Sequence, residues 1–221
     1  MKLTIISDTH GYHEGVTLPN GDILIHCGDF SSGGQPIAVE RFLKWYNKQP
    51  HPHKILLAGN HDISFQKNPE WKVSILNKLY LQDSNHHYLE NSGIEIEGIK
   101  FFGSPYTPKF FNWVFMYKRR SNEAYKIWRA VPSNTDVIIS HGPPKEVLDK
   151  CNNHVPPHPD RAGCEVMRKI IRKIKPKYCL FGHIHEGYGL DERTLAPTTC
   201  INASTMNGNY QPINPAVEIE I

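Results

Sequence analysis

The sequence predicts an α/β layered sandwich. Three observations carry that reading: short apolar runs alternate with amphipathic helical patterns over most of the chain, several short strands follow one another near its end, and each core run stops at a polar residue able to bind a metal. The apolar runs at 3–6, 23–26, 54–57, 136–139 and 178–181 have the length and composition of buried strands. Between them, Val39, Phe42, Leu43 and Tyr46 recur at i, i+3, i+4 and i+7, with Pro36 near the helix start. Ala124, Ile127, Trp128 and Val131 repeat the spacing ahead of Pro132, and Met167, Ile170, Ile171 and Ile174 repeat it ahead of Pro176. A further helix is expected around 70–80. Short strands are expected at 87–90, 95–97, 100–103, 188–190, 198–201 and 217–221.

With 221 residues, 39% hydrophobic and 21% charged, the chain suits one buried core, read as a single domain over 1–221. Disorder and fibrous structure are excluded as the main state. Lys and Arg exceed Asp and Glu by 25 to 22, a net charge of +3 that is too small to argue for nucleic acid or a membrane surface. No apolar run approaches the ~18 residues of a membrane span, and Asp8 cuts the first one too short for a signal sequence. Cys27, Cys151, Cys164, Cys179 and Cys200 are odd in number and lack C-x-x-C spacing, which suggests buried thiols in a reducing compartment, the cytoplasm.

The chemistry lies in the 13 histidines and where they sit. The five core runs are followed by Asp8 and His10, by Asp29, by Asn60, His61 and Asp62, by His141, and by His183 and His185. Ligands bind outside the carboxyl ends of strands in open α/β sheets, so adjacent strands would bring these groups to one rim. Imidazole with carboxylate and amide oxygen, without sulfur, suits manganese first, and iron or zinc. Asp8, His10, Asp29, Asn60, His141, His183 and His185 are too many for one ion and enough for two, if a carboxylate bridges them. Asp29, alone on its loop, suits the bridge. Two divalent ions, Asp8, Asp29 and one hydroxide leave a charge of +1, an anion receptor with its own nucleophile. His26, inside an apolar run, reads as a core residue, and His51, His53, His86 and His87 read as exposed.

These motifs carry a resemblance. Ser7-Asp8-Thr9-His10-Gly11, Gly28-Asp29, Gly59-Asn60-His61-Asp62, His141-Gly142 and Gly182-His183-Ile184-His185 resemble, in order, the five motifs of calcineurin-like metallophosphoesterases. Gly28-Asp29-Phe30, Ala58-Gly59-Asn60-His61, Gly103-Ser104-Pro105, Ser140-His141-Gly142-Pro143-Pro144, the run GHIHEGYG at 182–189 and NYQPINP at 209–215 are similar to the vertebrate brain metallophosphoesterase-domain phosphodiesterases, related to class III cyclic-nucleotide phosphodiesterases. The resemblance implies a four-layer αββα sandwich of two mixed sheets flanked by helices. It implies Asp8, His10, Asp29 and His185 around one ion and Asp29, Asn60, His141 and His183 around the other. His61 matches the family's substrate-facing histidine, and Asp62 is in place to orient it.

The function expected from these readings is hydrolysis of small phosphodiesters, cyclic nucleotides among them, by a metal-bridging hydroxide with His61 as acid or charge stabiliser. A phosphomonoesterase is the alternative. A nuclease and a non-catalytic scaffold rank lower, the latter because every expected ligand is present. His13, Asn60 and Arg161 are candidate substrate contacts. The aromatic loop 104–120 would either stack a nucleobase or cover a core, and its Lys118-Arg119-Arg120 could meet phosphate. The loop 149–163, with His154, His158 and Arg161, would either close over the site or cross the surface. The basic stretch 168–177 shares its helix with an apolar stripe and reads as a solvated face.

Overall fold

The computed structural model describes residues 1–152 and 160–221. The first apolar runs form parallel strands β1 (Lys2–Ile6), β2 (Ile23–His26), β3 (His53–Leu56) and β4 (His86–Tyr88), each beside the next. A second sheet is built from β5 (Ser92–Ile96), β6 (Ile99–Ser104), β9 (Val137–Ser140), β10 (Tyr178–Phe181), β11 (Gly189–Asp191) and β12 (Thr199–Asn202), in the order β11-β12-β10-β9-β6-β5. Strands β6, β9, β10 and β12 run parallel, with an antiparallel strand at either edge. The final strand β13 (Val217–Glu220) returns antiparallel beside β1. Both sheets are therefore mixed, as expected. Between β6 and β9, β7 (Thr107–Pro108) and β8 (Met116–Tyr117) form a small parallel pair.

The side-chain period of two sorts these strands into layers. Leu3, Ile5, Ile23, Ile25 and Ile55 of the first sheet face Phe101, Val137, Ile139, Leu180 and Ile201 of the second, forming the central core. Alternate residues point outward. Leu24 and Leu56 meet α1 (Pro36–Asn47) and α3 (Pro69–Leu79) through Phe42, Leu43, Tyr46 and Leu76. Phe102, Ile138, Cys179 and Phe181 meet α4 (Asn122–Arg129) and α5 (Glu165–Ile174) through Ile127, Trp128, Met167 and Ile171. Each such buried apolar side chain contributes about 1.5–3 kcal/mol. The result is the four-layer αββα sandwich. The helix spacings were legible; the single-turn α2 (Ile63–Lys67) and the β7–β8 pair were not, because neither is long enough to display a period.

Two local expectations need correction. His51 and His86 are buried, not exposed, and His53 and His87 are half-buried. The reason is Lys54, itself buried, whose Nζ donates to the His51 carbonyl at 2.9 Å and meets His86 Nε2 at 3.2 Å. His86 Nδ1 lies 3.0 Å from the Tyr80 carbonyl, so Nδ1 carries the proton and Nε2 accepts from Lys54. Cys151 is only partly buried, whereas the other four cysteines are buried, and all five are free thiols. The basic helix α5 does bury Val166, Met167 and Ile171 and leaves Lys169, Arg172 and Lys173 to solvent. Among the described residues no helix is long and apolar enough to cross a membrane.

Candidate metal centre

The metal-binding residue types do gather on one rim, but that rim is assembled from two sheets. Loops after β1, β2 and β3 carry Asp8, His10, Asp29 and Asn60; loops after β9 and β10 carry His141, His183 and His185. Asp8, His10 and His185 have donor atoms within 4.8 Å of one another, and so do Asp29, His141 and His183. Asp29 lies between the groups: its Oδ2 is 3.9 Å from His10 Nε2 and 3.3 Å from His141 Nε2. Its other oxygen, Oδ1, accepts the His61 backbone N–H at 2.7 Å. Asn60 Oδ1 is 2.9 Å from His141 Nε2.

Backbone geometry and hydrogen bonds aim these groups. Asp8, His10, Asp29 and His183 all adopt positive φ, from 44° to 69°, a conformation that costs a non-glycine residue on the order of 1 kcal/mol and persists where the surroundings enforce it. Gly182 is required because a Cβ there would fall on Asp8 Oδ2 and the Ser7 side chain. His141 Nδ1 donates to the Cys27 carbonyl at 3.0 Å, which turns Nε2 toward Asp29 and Asn60. His26 is the core residue expected of it, and it also links two loops: Nδ1 accepts from Gly28 N–H at 3.2 Å, and Nε2 donates to Thr9 Oγ1 at 3.0 Å.

The site fits divalent ions on its own chemistry. Asp8 Oδ1 is buried and has no hydrogen-bond partner among the described residues. His10 Nε2 and His185 Nε2 face each other at 3.3 Å, two nitrogens where a shared cation would satisfy both. Burial holds the imidazoles of His10 and His183 down to about 4 and about 3, so both are neutral at pH 7, the form that can bind a metal. Burial opposes ionisation of Asp8, but the His185 imidazole, with Nε2 3.7 Å from Oδ1, outweighs it and holds the carboxyl well below the usual range. Burial also opposes a proton on His141, yet the charge of Asp29, 3.3 Å away, lifts it to about 9.

Three expected roles are not supported. Asp62 does not orient His61. Its buried carboxylate turns inward and accepts from Asp29 N–H at 3.0 Å, Gly59 N–H at 2.8 Å, Ser31 N–H at 3.0 Å and Ser31 Oγ at 2.7 Å. Burial and the Asp29 charge push this carboxyl up to about 8. Three of these partners, however, are backbone N–H groups that can only donate, and the Ser31 hydroxyl donates as well, so the cage accommodates the carboxylate. Asp62 thus ties the loop of Asp29 to that of Asn60, and Asp62→Ala is expected to cost about 3–5 kcal/mol in urea unfolding. A loss below about 1 kcal/mol would mean the loops hold themselves. His13 does not reach the cavity: it is buried with its ring centroid 5.3 Å from Phe42 and 5.0 Å from Trp45. Arg161 is engaged by buried Asp149 at 2.7 Å. His154 and His158 lie outside the described residues.

His61 itself is at the site. Its Nδ1 donates to the Ser32 carbonyl at 3.0 Å, and its ring lies 4.7 Å from that of His10 and 4.2 Å from that of Trp113. A cavity of about 470 Å³ opens over these groups, with Phe110, Phe111, Trp113 and Tyr210 in its wall. The aromatic loop therefore covers the cores with Val114, Phe115 and Tyr117 and lends Phe110, Phe111 and Trp113 to the cavity wall. Sequence reasoning missed Tyr210, whose ring lies 5.3 Å from His10 and 4.6 Å from His185. The run NYQPINP was the available signal, but nothing in it marks which residue turns to the site.

Known proteins resemble this chain in sequence and in fold. Residues 1–187 match the calcineurin-like phosphoesterase family. The chain is 34% identical over 239 residues to the human Metallophosphoesterase domain-containing protein 1, covering 100% of this chain and 71% of that protein. It is 35% identical over 225 residues to a UPF0046 protein of Caenorhabditis elegans, covering 98% and 74%. Phosphopantetheinyl hydrolase from Mycobacterium tuberculosis shares the fold, with a TM-score of 0.61 at 13% identity over 98% of this chain and 95% of that one. The family matches across all five strand-end loops that build the site, and the chain belongs to it: this is a calcineurin-like phosphoesterase, a metal-dependent phosphoester hydrolase.

Proposed function

We propose that the chain is a two-ion phosphodiesterase acting on small phosphodiesters, with cyclic and linear nucleotides as the substrate class. Asp8, His10, Asp29 and His185 would hold one ion and Asp29, Asn60, His141 and His183 the other, with manganese the first candidate. When bound, such ions neutralise phosphoryl oxygens and acidify a water into a nucleophile. The observation that carries the diester reading is the charge of the cavity wall. Asp29, Glu186 and histidines line it, and no Lys or Arg does among the described residues. The seven residues 153–159 add neither Lys nor Arg by sequence. A centre of charge +1 complements the single charge of a diester. A monoester carries nearly two at pH 7 and would need a further cation.

The remaining steps belong to the protein's own groups. Asp29 Oδ1 fixes the His61 backbone, and the Ser32 carbonyl fixes Nδ1–H, so Nε2 is the nitrogen available to substrate. Protonated at Nε2, His61 donates to the departing ester oxygen. Trp113, against the imidazole, restricts its rotation and keeps water off one face. The five free cysteines agree with work in a reducing compartment such as the cytoplasm.

The test compares bis(p-nitrophenyl) phosphate with p-nitrophenyl phosphate, each with manganese and with a chelator. Expected is chelator-sensitive turnover with kcat/KM at least about tenfold higher for the diester. A preference for the monoester would assign a phosphomonoesterase. Full manganese occupancy without turnover of either would point to a scaffold.

A further inference from the structure

We propose that a second anion subsite adjoins the active cavity, formed by Lys109 and Lys118 with Arg119, and that it receives a phosphate carried by the substrate beyond the bond that is cleaved. The inference rests on the phosphodiesterase reading and narrows its substrate class to diesters bearing a second phosphate.

The β7–β8 pair places the two lysines together. Thr107 pairs with Met116 and Pro108 with Tyr117, and Lys109 N–H donates to the Tyr117 carbonyl at 2.7 Å. Lys109 and Lys118 are the next residues along these in-register parallel strands, and both are exposed. Like charges side by side on paired strands repel and destabilise the pair. Among the described residues no carboxylate forms an ion pair with either lysine. Glu165 is taken by Arg119 at 3.1 Å and Arg120 at 3.7 Å. An anion between the lysines would relieve their repulsion.

The lysines do not simply point into open solvent. Lys109, Phe111, Asn112, Lys118 and Arg119 line one concavity of about 430 Å³. Phe111 also lines the active cavity, so the two hollows share a wall. Arg119 is already fixed: it donates to the Ala162 carbonyl at 2.7 Å and the Gly163 carbonyl at 2.8 Å, and Ala162 too lines the active cavity. A guanidinium held by two carbonyls therefore joins two exposed ammonium groups beside the aromatic wall. Lysines act as point charges toward phosphate, and a dianion suits a pair of them. The active cavity offers no Lys or Arg for a second phosphate among the described residues.

The experiment compares a linear dinucleotide with the same dinucleotide carrying a terminal phosphate, using the full chain loaded with manganese. Expected is a kcat/KM about tenfold higher for the phosphorylated form at low salt, a preference that shrinks as salt screens the charges. In the double variant Lys109→Gln, Lys118→Gln the preference falls to about one. Bis(p-nitrophenyl) phosphate turnover stays at the wild-type rate and serves as the control for folding. A Lys109→Arg, Lys118→Arg variant keeps the preference. Equal kcat/KM for the two dinucleotides in the wild type, or a preference that survives the glutamine variant, overturns the subsite alone. If the dinucleotides are not cleaved, they are read as competitive inhibitors of bis(p-nitrophenyl) phosphate hydrolysis, with the same ratio deciding. Failure to hydrolyse any diester sinks the phosphodiesterase reading itself.

Discussion

Asp29→Ala is expected to empty both ion positions together and to lower hydrolysis at least about a thousandfold. The basis is the position of Oδ2, 3.9 Å from His10 Nε2 and 3.3 Å from His141 Nε2, between the two donor groups. Without that charge the sites lose their shared anion, and two cations held a few ångströms apart would repel without compensation. Metal content of the purified variant, measured by mass spectrometry beside circular dichroism, checks the point. An Asp29→Ala protein that keeps one ion with wild-type affinity would place the shared ligand elsewhere. The loop carrying His61 is also expected to loosen, since Asp29 Oδ1 accepts its backbone N–H.

His61→Ala separates catalysis from ion binding. The variant is expected to retain both ions while kcat falls by about 10²–10⁴. The size of the loss should depend on the departing group. A p-nitrophenolate leaves readily without a proton, so bis(p-nitrophenyl) phosphate should suffer least, and a dinucleotide with an alkoxide leaving group most. Equal losses on the two substrates would remove proton donation from His61 and leave it a role in charge stabilisation. Loss of the ions would make it a ligand, which the proximity of its ring nitrogen to His10 and Asp29 makes worth measuring.

The comparison of sequence with structure follows a physical division. Strands such as Ile23–His26 were legible because burial on both faces demands an unbroken apolar run. The helices were legible because Phe42, Leu43 and Tyr46, or Met167 and Ile171, must recur at helical spacing to reach a core. The site was legible because its donors follow strands directly. Sheet membership was not: β1 to β3 and β9 to β10 have the same local composition, yet they belong to different sheets. The parts misread are those decided by a long-range partner. Adjacency in sequence pairs Asp62 with His61, whereas its own partners include Asp29 and Ser31, about thirty residues earlier in the chain. Lys54 drew His86 into the interior, Asp149 claimed Arg161, and Tyr210 turned toward histidines far from it in sequence.

The division of the donors between two sheets bears on when the protein becomes competent. Asp8 and His183 are 175 positions apart, yet the His183 N–H donates to Asp8 Oδ2 at 2.9 Å. Neither sheet by itself presents a complete donor set, so a nascent or misassembled chain offers an ion only scattered, weak contacts. Contacts this distant in sequence close late, because chain entropy opposes them until the intervening layers are in place. Ion capture at these residues would then come at the end of folding. Ions bound there would staple the two sheets at their open rim and favour the assembled state by mass action, so metal-starved chains would be both inactive and easier to degrade.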